Sequence, residues 1–484
     1  MALRLRTGRR TPAPLALVLV CGVLASGAVA TTLSLDNVDG SATTPVEKYR
    51  AEALAGVTGS AGRALAEEPD LENFEHVFHF DFQTGDIEGA LKNPHDQGTD
   101  LEFFSPVVAK RDAAGVPVLD AAGNPVTEQR DFAIVGSYDR GAFVFDITDP
   151  ENTTFVTQIV CRQKQNDIQI RQFGERWVVM LSNDRSGTLC AGPEYGGRDI
   201  ESPAPTVPGN SPNRNGGVAV FDVTDPYAPK AMYNLRVHDG VHNWTWHPTE
   251  PVAWVSTGDL PGALDHLPVY DFADPDNPVL AADLQVEGGP HDITFSNDGS
   301  KGYVASENNV RVYNATNPRT PTLLYRGPTI ASYVHGADPT PDGKTLLVTD
   351  ESLVLGGFFA SKTAVCPGGG ITLFDATSEP LKPLSYMVAD IQGQSPDHRA
   401  CTAHVGRFTP DSKHYVTGWY LGGVRVFDIS DPRAPEEVGH AMMPGSEVWS
   451  AKFHKGQYVF TGDLGRGFDV FRWTGEPLGT APLG

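Results

Sequence analysis

Six short segments constrain the fold more than anything else in the chain. "FVFDITDP" (143–150), "AVFDVTDP" (219–226), "PVYDFADP" (268–275), "RVYNATNP" (311–318), "TLFDATSEP" (372–380) and "RVFDISDP" (425–432) are versions of one unit. Each has alternating apolar residues, an Asp or Asn leaving the strand, and a Pro that ends pairing. A seventh, "FDVFRW" (468–473), lacks the turn because the chain is nearly over. Self-similarity at such a spacing is the mark of a repeat architecture.

Each unit is preceded by a second alternating run, such as "FAIVGS", "VAWVST" or "YVFTGD", and before that by a third, such as "HDITF". A fourth follows the Asp-Pro turn. Four short strands per repeat, seven times, predict an all-β, seven-bladed β-propeller. The last repeat supplies only three strands. The N-terminal run "EHVFHFDF" (75–82) is expected to add the fourth and close the ring without a free edge.

The chain opens with Arg4, Arg6, Arg9 and Arg10, then an apolar run at 15–24 and an Ala-Val-Ala at 28–30. That pattern predicts a secretory signal peptide over 1–30, with an apolar run too short to span a bilayer. The expected organisation is a leader over 31–70, the propeller over 71–474 and a tail over 475–484. Loss of the four arginines takes the formal charge from −23 to −27, which disfavours nucleic acid and anionic membrane surfaces as partners. A small-molecule ligand or an extracellular protein is the expected partner.

The segment "GGVRVFDISDP" (422–432) resembles the LVIVD repeat of bacterial propeller proteins, and the resemblance extends from about Asp131 to Trp473. It implies the fold and no particular reaction, because a propeller is a scaffold for many activities.

The inner strands can be aligned by the residue four places after their first position. His242, His291, His335 and His404 then share one position in blades 3 to 6, with Thr99, Asn166 and Trp449 in blades 1, 2 and 7. Inner strands line the central channel, so the four imidazoles are expected in an arc over one mouth. Imidazole is a good ligand for iron or copper. The arc is similar in arrangement to the all-histidine iron centre of carotenoid oxygenases and to the histidines of selenium-binding propellers. The same mouth receives the second-to-third-strand loops, which carry Asp259, Glu307, Asp350, Glu351 and Asp463 among other acids. Asp259, Glu307, Asn166 and Trp449 are the candidates for orienting or substrate-contacting roles. Two loops there are long, 185–216 and 352–369, as lids often are.

Cys161 and Cys401 precede inner strands, while Cys190 and Cys366 fall in the two insertions. The layout predicts disulfides Cys161–Cys190 and Cys366–Cys401, as suits an exported protein. Two readings of function follow. One is a secreted metal-dependent oxidoreductase with iron or copper on the four histidines. The other is a metal-free binding propeller acting through its acidic rim, with the histidines inherited by repetition.

Overall fold

A computed structural model describes residues 67–83, 97–183, 189–190, 197–205, 216–257, 266–306, 308–330, 333–351, 364–395 and 400–479. The expected signal peptide and residues 31–66 of the expected leader lie outside them. Among the described residues, regular structure is β-strand apart from a 3-10 turn at Pro150–Asn152.

Seven antiparallel sheets follow one another along the chain. Blade 1 runs from the inner strand Gly98–Phe104 through Phe132–Ser137 and Gly141–Asp146 to the outer strand Thr154–Val160. Blades 3, 4 and 5 repeat this order with inner strands Asn243–Trp246, Ile293–Phe295 and Val334–Pro339. Blades 2 and 6 gain a fifth, outermost strand. In blade 2 it is Arg198–Glu201, parallel to Lys230–Arg236. In blade 6 it is Asp70–Glu72, antiparallel to Glu436–Met442. Blade 7 is closed by Phe74–Phe80, which pairs with Gly467–Trp473. The N-terminal segment thus completes the ring as expected, and the expected linker boundary moves: Asp70 is already in a strand. Beyond the last strand Leu478 is buried with Phe453 and Trp473.

Side-chain bonds between neighbouring blades run full circle. Thr99 donates to the Asn166 carbonyl (3.3 Å), Ser182 to that of His242 (3.1 Å) and Thr245 to that of Ile293 (2.7 Å). Thr294 donates to the Ala337 carbonyl, and Tyr415 to Asp338 at 2.9 Å. His404 reaches Trp449, and Ser450 donates back to the Thr99 carbonyl at 2.8 Å. Seven sheets joined in this cycle form a seven-bladed propeller.

The repeat residues explain themselves locally. The carboxylate or amide oxygen that leaves each third strand accepts the main-chain N–H two residues on: Asp146 from Thr148, Asp222 from Thr224 and Asp428 from Ser430, at 2.8–3.0 Å. These are Asx turns, so the Asp residues are structural. The same register shift against the outer strand recurs, at Val144/Phe145, Val220/Phe221 and Val426/Phe427. A bulge there increases the local twist. Gly141 and Gly423 begin third strands with φ of +86° and +74°, and a Cβ would lie 2.0 and 2.2 Å from the outer-strand carbonyls of Ile159 and Ala441. No other residue fits.

Between sheets the core is apolar. Ile134 and Val144 of blade 1 pack with Val179, Leu181 and Ala219 of blade 2. Each such buried Val, Ile or Leu contributes roughly 1.5–3 kcal/mol.

Candidate metal centre

The four register histidines come together. Successive ring centroids lie 4.0 Å apart for His242–His291, 4.6 Å for His291–His335 and 4.0 Å for His335–His404. One nitrogen from each of His242, His291 and His335 falls within 4.8 Å of the others. His335 and His404 form a second such set with the carboxylate of Glu351. Main-chain bonds fix the positions: the N–H groups of His242, His291 and His404 donate to the second-strand carbonyls of Ser256, Ala305 and Gly418.

Each ring is also held from behind through Nδ1. His404 Nδ1–H donates to the Trp449 carbonyl at 2.7 Å. A carbonyl can only accept, so this ring carries its proton on Nδ1 and its lone pair on Nε2. The Tyr333 hydroxyl is 2.5 Å from His291 Nδ1, an Asp292 carboxylate oxygen 3.4 Å from His335 Nδ1, and the Gln165 amide 3.1 Å from His242 Nδ1. Ligating imidazoles are oriented by such contacts. Burial holds His404 down to about 3, and burial plus the neighbouring imidazoles holds His335 well below the ordinary range. Both rings are therefore neutral at ordinary pH, the form that binds a metal. The two three-residue donor sets, the His404 tautomer and the neutral state of His335 and His404 fit an imidazole-bound ion, whereas the Gln165 amide N–H group donates to His242 Nδ1.

Other expected site residues are placed as follows. Trp449 acts through its carbonyl, and its indole packs 4.6 Å from the His404 ring. Asn166 does not reach the histidines: its amide donates to the carbonyls of Ser137 and Gln163 at 2.6 and 3.1 Å. Its neighbour Gln165 makes the contact instead, because both residues take left-handed backbone angles, φ 77° and 52°. Asp259 and Glu307 lie outside the described residues, as do most of the loops 185–216 and 352–369. Glu351 is buried, and its carboxylate accepts from the Tyr420 hydroxyl at 3.0 Å. The disulfides are Cys161–Cys190 and Cys366–Cys401, with Cα atoms 5.0 and 5.3 Å apart.

Comparison with known proteins adds little. No family model and no curated protein matches the chain. A solved structure of a functionally unknown protein from Desulfotomaculum acetoxidans DSM 771 is similar over 64% of this chain and 81% of its own, at 13% identity and a TM-score of 0.44.

Beneath the histidines the channel is polar. The residue after each register position lines it, giving Asp100, Asp167, Asn243 and Asp292 on blades 1 to 4, then Gly336 and Val405. Two residues further on comes a second tier, with Glu102, Gln169, Thr245, Asp338, Arg407 and Lys452. Together they enclose about 170 Å³. Lys452 bridges Asp100 and Glu102, each at 2.8 Å, and Arg407 takes the other side of Glu102 at 2.8 Å. Burial pushes the carboxyls of Asp292 and Asp338 up to about 7 and about 6. Glu102 and Arg407 also line a wider cavity, of about 870 Å³, at the far end of the inner strands. Its walls include Phe103, Trp177 and His454.

The channel leaves no motif in the sequence. The residue after each histidine varies among the repeats and gives no pattern to read. Glu351 was one loop acid among several.

Proposed function

We propose that this chain is an exported propeller in which His242, His291, His335 and His404 hold one iron or copper ion for the oxidation of a small apolar substrate. The observation that carries the reading is the approach of the His242, His291 and His335 nitrogens to within 4.8 Å of one another. Bonds from iron, copper or zinc to imidazole are about 2.0–2.2 Å, so opposed ligands stand about 4.2 Å apart and little adjustment is needed for those three; His404, which forms its close set with His335 and Glu351, would have to move toward them. When bound, the ion would supply Lewis-acid and redox chemistry at its open positions.

The protein's own groups would do the rest. Tyr333, Asp292, Gln165 and the Trp449 carbonyl hold the rings in place, so reorganisation on binding would be limited. Glu351 gives the set a carboxylate beside His335 and His404, and two histidines with one carboxylate suit Fe(II). Tyr420, Trp449, Leu464 and Ala400 form an apolar cluster beside His404. That buried wall would keep bulk water from the His404 side of the site. Export is supported by the basic start and apolar run of the sequence and by the two disulfides.

The test is metal analysis of untagged protein, compared with the variant His291→Ala/His335→Ala. About one iron or copper per chain in the wild type, lost in the variant, is expected. A folded wild type that carries no transition metal and takes none up on addition would favour the metal-free binding propeller.

A further inference from the structure

The channel carries more negative charge than its own cations neutralise. Five carboxylates, Asp100, Glu102, Asp167, Asp292 and Asp338, share it with two cations, Lys452 and Arg407. Lys452 serves Asp100 and Glu102, Arg407 serves Glu102 again, and the Tyr415 hydroxyl serves Asp338 at 2.9 Å. Asp167 is different. It is only 7% exposed, and its Oδ1 has no hydrogen-bond partner. A buried charge needs a counter-charge or coordination to a metal.

We propose that the channel beneath the histidines is a second cation site, of oxygen donors, in which Asp167, Asn243 and Asp292 hold a hard divalent cation of the calcium class. The three residues occupy the same position on blades 2, 3 and 4, and all line the 170 Å³ space. Carboxylate and amide oxygens suit a hard cation, whereas the imidazoles one tier above suit a softer one. At about 30 Å³ per water the space also admits several water molecules, which would fill the six to eight positions calcium requires. Gly336, on the neighbouring blade, lines the same space without a side chain. Burial and the carboxylates of Asp100 and Asp292 push the Asp167 carboxyl well above its usual range, as expected of an acid group buried beside others of like charge and deprived of a cation. The site adjoins the histidine centre, since Asp292 also contacts His335 and the rings of His335 and His404 line the same space; what separates the two is donor type, oxygen against imidazole.

The test is calorimetric titration of the chelator-treated full chain with CaCl2 at pH 7.5. One calcium per chain is expected, bound at least tenfold more weakly by Asp167→Asn, which keeps the shape and removes the charge. Asn243→Leu, which keeps every carboxylate, is the second variant should the first fail to fold; about fivefold weaker binding is expected. A wild type that takes up no calcium, or takes it up with the same affinity as a folded variant, overturns the proposal and leaves Asp167 as a protonated acid in an ion-free channel.

Discussion

The Tyr333 hydroxyl stands 2.5 Å from Nδ1 of His291, joining the segment before blade 5 to the histidine of blade 4. The rings meet edge to face, with centroids 5.0 Å apart. This contact orients His291 from outside the ring cluster. Tyr333→Phe keeps the packing and removes the hydroxyl. Loss of such a partner typically costs a metal site 10–100-fold in affinity. We expect a decrease of about tenfold or more, read by competition with a chromogenic chelator, with the far-UV spectrum unchanged.

Lys452 is a second point of leverage. Its side chain is 6% exposed and its ammonium lies 2.8 Å from both Asp100 and Glu102. Lys452→Met would leave Asp100 buried without its cation, while Glu102 keeps Arg407. Removing one partner of a buried pair costs about 3–5 kcal/mol. The expected result is a loss of unfolding free energy of that size, read as a lower urea midpoint. The double variant Lys452→Met/Asp100→Asn should recover part of the loss, because the stranded charge is gone.

His454 makes stability depend on pH. Its ring stacks on Phe103 at 4.0 Å, and burial, aided by the Arg407 charge, holds it down to about 4 against an ordinary 6.5. Below pH 6.5 the unfolded chain takes up a proton that the folded chain refuses, so folding loses stability as pH falls from about 6.5 to about 4. Allowing for partial exposure, the loss is on the order of 2 kcal/mol. His454→Phe keeps the stack and cannot titrate. Its urea midpoint should therefore fall less than the wild type's between pH 7 and pH 4.5.

The blades and their register were legible because one unit repeats with its turn residues intact. Each Asx turn and each glycine at positive φ leaves a letter in the sequence. The arc of histidines followed from that register alone. The channel tier below it did not, because strands normally alternate faces and consecutive residues should not both point inward. Here the strand starts are irregular: pairing shifts between Val334 and Ala337, between Gly98 and Leu101, and between Val448 and Ser450. On blades 1, 5 and 7 such irregularities break the alternation of faces and leave no signature in composition, whereas Asn243 opens, and Asp292 immediately precedes, a short, regularly paired strand. The choice of Gln165 over Asn166 is a matter of backbone angle, equally invisible in the letters. Trp449 contributes a carbonyl, which any residue carries.

The two disulfides separate stability from site geometry. Cys366–Cys401 spans 35 residues, and Cys401 is three residues before His404; Cys161–Cys190 spans 29 and leads into blade 2, which supplies no histidine to the arc. Chain entropy alone gives each about 3–4 kcal/mol, since the dependence on loop length is logarithmic. Paired Cys→Ser variants should therefore lose similar stability in denaturant. Their metal affinities should differ. Opening Cys366–Cys401 loosens the connection that delivers His404, where the Gly368 N–H also donates to the Cys401 carbonyl at 2.7 Å. We expect that variant to bind metal about tenfold more weakly and the Cys161/Cys190 variant to bind within about twofold of wild type. Equal losses of affinity in the two would mean that the disulfides act on the ring as a whole and that His404 is positioned by its own blade.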